Sequence, residues 1–213
     1  MFPKALFALL LIGFQQSACC EDTLSKPTKH ELGFNTTLLI KQVLSFNPSN
    51  IPFSPYMVTY KYTLGKQTNL RAGAGITVQK TSSTENDINK RHSKFYSMDY
   101  RLGAEIQKML TQRWKAYYGI DVVYMYNETF TEFQFNTFSS QTKGYGIGPV
   151  AGIQCYLTKR LSLFTETTLY FTNTDERIKN TSSSPFGQNS SSHSNILRGD
   201  IKLPTTLYLA FKL

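Results

Sequence analysis

Trp114-Lys115-Ala116-Tyr117-Tyr118-Gly119-Ile120-Asp121-Val122-Val123-Tyr124-Met125-Tyr126-Asn127 is the stretch from which the fold is legible. Trp114, Ala116, Tyr118, Ile120, Val122, Tyr124 and Tyr126 form an apolar and aromatic set at every second position. Lys115, Tyr117, Gly119, Asp121, Val123, Met125 and Asn127 stand between them. A period of two belongs to a β-strand, whose successive side chains leave on opposite faces, and not to a helix. One face is apolar and the other carries charge and glycine, so the strand separates two unlike surroundings.

The same alternation continues on both sides. Downstream, Tyr145, Ile147, Pro149, Ala151, Ile153 and Cys155 oppose Gly146, Gly148, Gly152 and Gln154. Leu161, Leu163, Thr165, Thr167, Leu169 and Phe171 oppose Ser162, Phe164, Glu166 and Thr168, and Leu207, Leu209, Phe211 and Leu213 oppose Thr206, Tyr208, Ala210 and Lys212. Upstream, Tyr96, Met98, Tyr100, Leu102, Ala104 and Ile106 oppose Ser97, Asp99, Arg101, Gly103, Glu105 and Gln107. Leu70, Ala72, Ala74, Ile76 and Val78 oppose Arg71, Gly73, Gly75, Thr77 and Gln79, and Tyr56, Val58, Tyr60, Tyr62 and Leu64 oppose Met57, Thr59, Lys61 and Thr63. A first strand, Leu32 to Leu44, sets Phe34, Thr36, Leu38 and Ile40 against Asn35, Thr37 and Lys41. Eight strands result. Pro149 has no N–H to give a ladder, which predicts a local bulge between Gly148 and Val150.

The connections alternate as strictly as the side chains. Gly65 to Asn69, Thr111 with Gln112, and Thr158 with Lys159 are short; Phe46 to Pro55, Thr81 to Lys94, Glu128 to Lys143 and Asn173 to Leu203 are long. The last holds a Ser/Asn-rich tract, Asn180 to Asn195, of disordered composition. Short turns at one rim, long loops at the other and an even strand number predict an eight-stranded antiparallel up-and-down transmembrane β-barrel, with both termini on the short-turn side.

Composition agrees. Of 213 residues 17% are charged, 40% hydrophobic and 14% aromatic, with three cysteines. The chain is therefore too aromatic for disorder, too weakly charged for a coiled coil and too poor in cysteine for a disulfide scaffold. After residue 20 no apolar run approaches the roughly 18 to 20 residues of a membrane helix. Ahead of it, Lys4, the apolar run Ala5 to Phe14 and the small or polar residues to Cys20 have the form of an export signal. The expected organisation is a cleaved signal peptide (1–20), a periplasmic linker (21–31) and the barrel (32–213). Cys19 and Cys20 leave two readings open, simple cleavage or lipidation, since Gln16 and Ser17 stand where a lipoprotein signal prefers an apolar residue. An exported chain with these two and Cys155 has at least one thiol without an intramolecular partner.

A soluble lipocalin-like barrel alternates too, with its apolar face inward around a ligand. An eight-strand interior is narrow, so the face that fills it decides between the two. The polar face offers six cations (Lys41, Lys61, Arg71, Arg101, Lys115, Lys212) and four anions (Asp99, Glu105, Asp121, Glu166), a set suited to a paired lumen network. The apolar face ends in aromatics: Tyr62, Trp114 and Phe211 on the short-turn side, Tyr96, Tyr126 and Tyr145 on the loop side. Those are girdle positions at a membrane interface. The expected location is the outer membrane of a Gram-negative bacterium.

Several phrases carry a resemblance: Tyr60-Lys61-Tyr62-Thr63-Leu64-Gly65-Lys66, Arg101-Leu102-Gly103-Ala104-Glu105, Gly146-Ile147-Gly148-Pro149-Val150-Ala151-Gly152, and the terminal Leu207-Tyr208-Leu209-Ala210-Phe211-Lys212-Leu213. Over roughly residues 32–213 the chain resembles the small eight-stranded outer-membrane barrels of the OmpX and OmpA transmembrane-domain type, most of all those of Bacteroidetes-like bacteria. The resemblance implies a structural or surface-interaction role, including adhesion and lipopolysaccharide contact, a monomer, and assembly through the C-terminal strand. Barrel-assembly signals of this class more often end in an aromatic, whereas this chain ends in Leu213 with Phe211 two residues earlier on the same face.

Other chemistry is thinner. A lipid A deacylase or acyltransferase needs a base within reach of a nucleophile and a third group to orient it. The candidates are His92 with Ser93 and Asp99 or Glu105, and His193 between Ser192 and Ser194, where serine is abundant by composition. His30, His92 and His193 show no metal-ligand spacing, and nothing calls for a cofactor. The net charge, +9 and +8 once Lys4 leaves, does not argue for nucleic acid: several cations lie on the lumen face, and Lys90, Arg91, Lys94, Lys143, Arg177, Lys179, Arg198 and Lys202 fall in or beside the outer loops. There they suit lipopolysaccharide phosphates, or are simply solvated. Phe130, Phe133, Phe135 and Phe138 either pack together or offer a contact for a surface protein partner, with the strands on either side extended above the membrane as a hairpin.

Overall fold

The computed structural model describes residues 28–37, 56–85, 89–133, 135–183 and 188–213. The expected signal peptide, Cys19, Cys20, Lys41 and the connection 46–55 lie outside them. The described residues fold as strands: β1 (His30–Asn35), β2 (Val58–Thr63), β3 (Thr68–Glu85), β4 (Asn89–Met109), β5 (Trp114–Glu132), β6 (Asn136–Tyr156), β7 (Leu161–Ser182), β8 (Ser190–Lys202) and β9 (Leu207–Lys212). Each pairs antiparallel with its neighbours. β1 binds β2 on one side and β9 on the other, β6 binds β7, and the sheet closes on itself. The fold is an all-β antiparallel barrel.

β8 and β9 occupy one position in the wall. β9 pairs with Leu161–Thr165 of β7 and β8 with Thr168–Asn180, so they form one strand broken at residues 203–206. Pro204 stands in the break, where a ladder would need the N–H that proline lacks. The closed ring thus has eight positions built from nine segments. His30 and Leu213 meet at the rim of the short turns, Leu213 N donating to the His30 carbonyl (2.9 Å). Two of those turns share a construction. Thr111 Oγ1 accepts from the N–H groups of Arg113 (3.3 Å) and Trp114 (3.1 Å), and Thr158 Oγ1 does the same for Arg160 (3.2 Å) and Leu161 (3.0 Å). A threonine hydroxyl satisfies amides that the tight reversal leaves free.

The structure corrects the sequence reading at five places. The first strand begins at His30, inside the expected linker, and ends at Asn35, whose side-chain oxygen accepts from Thr37 N (3.1 Å) as Thr37 turns helical; residues 38–44 lie outside the described residues. Tyr56 faces inward: a bend at Met57 exchanges the faces, leaving Met57 and Val58 exposed and Tyr56 buried. No bulge forms at Pro149. Pairing of β6 with β7 lapses at Gly148 and Pro149 and resumes at Ile147 opposite Phe171 in the register it had at Val150 opposite Thr168. Most of the expected long connections are strand, as the sequence suggests only for the β5–β6 hairpin around Phe133 and Phe135. β3 and β4 pair up to Glu85 opposite Asn89, β5 and β6 up to Glu132 opposite Thr137, and β7 and β8 up to Asn180 opposite Ser190. Threonine and serine pack acceptably on a pleated surface, and a pairing already registered below extends with little further loss of freedom. Lastly, the Ser/Asn-rich tract, disordered by composition alone, is ordered at both ends by cross-strand pairing.

Candidate functional site

The polar face turns inward, and its charges converge between β2, β3, β4, β5 and β7. Lys61 Nζ lies 3.0 Å from Glu105 Oε1. Arg71 reaches three carboxylates: Glu105 Oε2 (3.2 Å), Asp121 Oδ1 (3.2 Å) and Glu166 Oε2 (2.7 Å). Arg101 binds Glu166 and stands 3.7 Å from Asp121 Oδ2. Three cations meet three anions, each residue 5% exposed or less. Removing such charges from water is costly unless they are paired, so this composition is stable only as a set.

Glycines make the set possible. Register places Gly103 between Arg71 and Asp121, and Gly152 between Tyr117 and Glu166. A Cβ on Gly103 would collide with the Asp121 carboxylate, and one on Gly152 with the Tyr117 hydroxyl. The long partners cross the wall over a residue with no side chain. Gly148 serves likewise: it lies opposite Asp121, and the Tyr170 hydroxyl, from the far strand, donates to Asp121 Oδ2 (2.9 Å).

Aromatics pack against the charges. Phe164 and Tyr208 stack at 4.7 Å, Tyr117 meets Phe164 edge-on at 6.3 Å, and Lys61 Nζ sits 3.8 Å from the Tyr117 ring centre. Arg101 lies over the Tyr56 ring at 4.3 Å. Cations over ring faces gain electrostatically where water is excluded. Toward the short-turn rim, Gln154 Nε2 donates to both oxygens of Glu31 (3.1 and 3.0 Å) and to Ser162 Oγ (2.7 Å), and Lys115 donates to Gln107 Oε1 (2.8 Å).

Of the sequence-derived lumen set, the structure brings together Lys61, Arg71, Arg101, Glu105, Asp121 and Glu166. Lys115 bonds an amide rather than an acid, because its register opposite Met109 puts it nearer the rim. Asp99 is half-buried and accepts from Ser97 (3.0 Å) away from the cluster, Lys212 lies over the Tyr156 ring (4.3 Å), and Lys41 is outside the described residues. Glu31 and Tyr56 belong to the lumen and escaped the sequence reading: Glu31 fell in the linker and Tyr56 on the wrong side of a bend.

The outer face is apolar around the ring, with Leu102, Tyr118, Ile120, Ile147 and Phe171 all exposed. Trp114, Tyr145 and Phe211 are exposed on this face, while Tyr62, Tyr96 and Tyr126 are half-covered. Tyr126 Oη donates to Glu128 (2.8 Å) and accepts from Gln141 (2.9 Å), and Tyr62 contacts the His30 ring at 5.1 Å. Above, Phe133 and Phe135 are exposed, Phe130 and Phe138 half-covered, and Arg91 lies over Phe133 at 5.0 Å.

The sequence-derived catalytic groupings do not assemble. Ser93 turns to the opposite face from His92 and bonds Thr131 Oγ1 (3.1 Å), and Asp99 and Glu105 share that inner face. His92 instead contacts Ser82 Oγ (3.2 Å) and stands opposite Glu132. β4 is paired on both sides there, so its amides are committed to the ladder and offer no oxyanion hole. His193 Nε2 bonds Asp175 Oδ2 (2.8 Å), in the open, and its neighbouring serines point the other way along the strand.

A closed antiparallel ring with charge locked inside and an apolar band outside is an up-and-down β-barrel of the transmembrane class. The sequence matches no protein-family model and no curated protein. Among solved structures, similarity is found to Acinetobacter baumannii CarO (14% identity, 91% of this chain and 100% of that chain, TM-score 0.43). It extends to Acinetobacter baumannii CarO2 (13% identity, 88% of this chain and 98% of that chain, TM-score 0.37).

Proposed function

We propose that the protein is an integral barrel of a bacterial outer membrane, with a structural and surface-interaction role. Its termini are periplasmic and its long hairpins extracellular. The observation that carries this reading is the inversion of polarity: Leu102 and Leu197 are 67% and 78% exposed while Asp121 is fully enclosed. In water such a wall would aggregate, whereas in lipid it is favourable, and the charges that a water-soluble protein would set outside are enclosed and paired instead. A lipocalin-like soluble barrel requires the opposite arrangement.

In this reading the lumen is plugged by its ion-paired set and the protein is no general porin. The hairpins contact lipopolysaccharide, with Phe133 and Phe135 offered to a surface protein; β9 is read by the assembly machinery, and the barrel is a monomer. The resemblance to the OmpX and OmpA type, and the exposed Arg91, Lys94, Lys143 and Lys179 of the hairpins, support this assignment. The enzyme alternative loses its support with the dispersal of its candidate triads.

The test is carbonate extraction of membranes from expressing Gram-negative cells, followed by gel mobility with and without boiling. The protein is expected to stay in the membrane pellet and to migrate faster unboiled. A protein that washes off and shows one mobility is not an integral barrel.

A further inference from the structure

The hairpins keep the facing of the wall beneath them, so the register that sets the membrane face also sets what stands above it. On the outer face of β3, β4 and β5, Val78, Tyr96 and Glu128 share one level. The next level up is Lys80, Lys94 and Phe130, and the next Ser82, His92 and Glu132. Lys80 and Lys94 are therefore directly opposite one another, and both are exposed. Residues so paired have Cβ atoms about 4.5–5.5 Å apart, and like charges there are destabilising. No carboxylate among the described residues forms an ion pair with either lysine. Glu128, one level below, is engaged by the Tyr126 hydroxyl.

We infer that Lys80 and Lys94 form a binding site for the phosphate of a lipid headgroup, namely the phosphorylated sugar of lipid A in the outer leaflet. A phosphate between the two ammonium groups converts their repulsion into two charge-assisted contacts. Above it, Ser82 and His92, joined at 3.2 Å, add polar hydrogen-bonding groups for the sugar. Below it, Ile76, Val78 and Met98 are exposed and continuous with the apolar band, where acyl chains of the same molecule lie. The height selects the lipid over free phosphate: the lysines stand two residues, about 7 Å, above Val78 and Tyr96. This rests on the outer-membrane reading with the hairpins outside.

The test titrates the full-length folded protein in detergent with bisphosphorylated lipid A, its dephosphorylated form, or inorganic phosphate, counting bound molecules by native mass spectrometry. Wild type and Lys66→Gln, a change at the opposite rim, are expected to bind bisphosphorylated lipid A alike. The double variant Lys80→Gln/Lys94→Gln should bind about tenfold more weakly, a loss of about 1.4 kcal/mol. Lys80→Arg/Lys94→Arg should retain binding, dephosphorylated lipid A should bind wild type as weakly as the glutamine variant binds the phosphorylated form, and inorganic phosphate should not compete. Equal binding by the glutamine variant, or of the dephosphorylated lipid, overturns the site; competition by inorganic phosphate makes it a site for free anions. The mobility shift on boiling is read on the same samples. If the shift is absent the barrel reading has failed, and if it is present without phosphate-dependent binding only the site has failed.

Discussion

Asp175 and His193 show how far a visible contact reaches when both partners are exposed. They lie on the outer face of the β7–β8 hairpin beyond Phe171, above the apolar band, with Arg177 at 3.3 Å on the other side of the carboxylate. An ionised carboxylate only accepts, so His193 Nε2–H is the donor in the 2.8 Å bond. That hydrogen bond holds the Asp175 carboxyl below its usual value, with the charges of His193 and Arg177 adding to it. A folded-state value below the unfolded one gives stability that is present above about pH 3.9 and fades as pH falls through the depressed value. The side chains are open to solvent, so the effect on unfolding is small and screened by salt. The titration itself is the readout: His193→Ala should move the Asp175 carboxyl midpoint upward, followed by carbon NMR of the folded protein. An unmoved midpoint would show that the bond does not form in solution.

Elements were legible where side-chain alternation was unbroken, and failed where something other than alternation decided. The facing of Trp114 to Asn127, and of every residue named from β4 to β7, follows from period two alone. Tyr56 was misplaced because one bend at Met57 exchanges the faces without changing the pattern. Apart from the β5–β6 hairpin that its phenylalanines signal, the strands above the membrane carry no apolar stripe to count, since Ser, Thr and charged residues stand on both faces; only the pairing below carries them upward. The lumen cluster was legible as a list of charges but not as a set of pairs, since register is absent from a single strand's sequence. Gly148 shows what register adds. A Cβ there would strike the Leu169 carbonyl oxygen of β7 and crowd the Tyr170 backbone, whereas one on Gly65, in the β2–β3 turn, would meet nothing within 4 Å. Gly148→Ala should therefore force β6 and β7 apart and tilt Tyr170 away from Asp121, at about 1–3 kcal/mol, the usual range for overpacking. Gly65→Ala should be near neutral. Urea unfolding in lipid vesicles, followed by the fluorescence of Trp114, measures both; equal midpoints for the two variants would mean that the strands tolerate the methyl group.

The whole molecule poses the question of passage. Eight strands leave an interior that side chains can fill, unlike barrels of 16 and more, and in this barrel the filling is a web of charges that hold one another. Glu166 is its knot, since it binds both Arg71 and Arg101, from β3 and β4, while standing on β7 across the lumen. Glu31 with Gln154, and Phe164 with Tyr208, lie in the same lumen toward the short-turn rim. In the proposed plugged lumen an ion crossing would have to separate these buried pairs, and breaking such a pair by removing one partner typically costs about 3–5 kcal/mol. Glu166→Gln should therefore lower the urea stability of the folded barrel by about that much, because two guanidinium groups lose a shared partner. It should open no pathway, since the glutamine keeps the volume of the acid and the aromatic layer is untouched. Purified wild type and Glu166→Gln in planar bilayers should both show no reproducible unitary current. A steady open level in the wild type would mean that the charged web parts under an applied field, and the protein would belong with the channels rather than with the closed barrels.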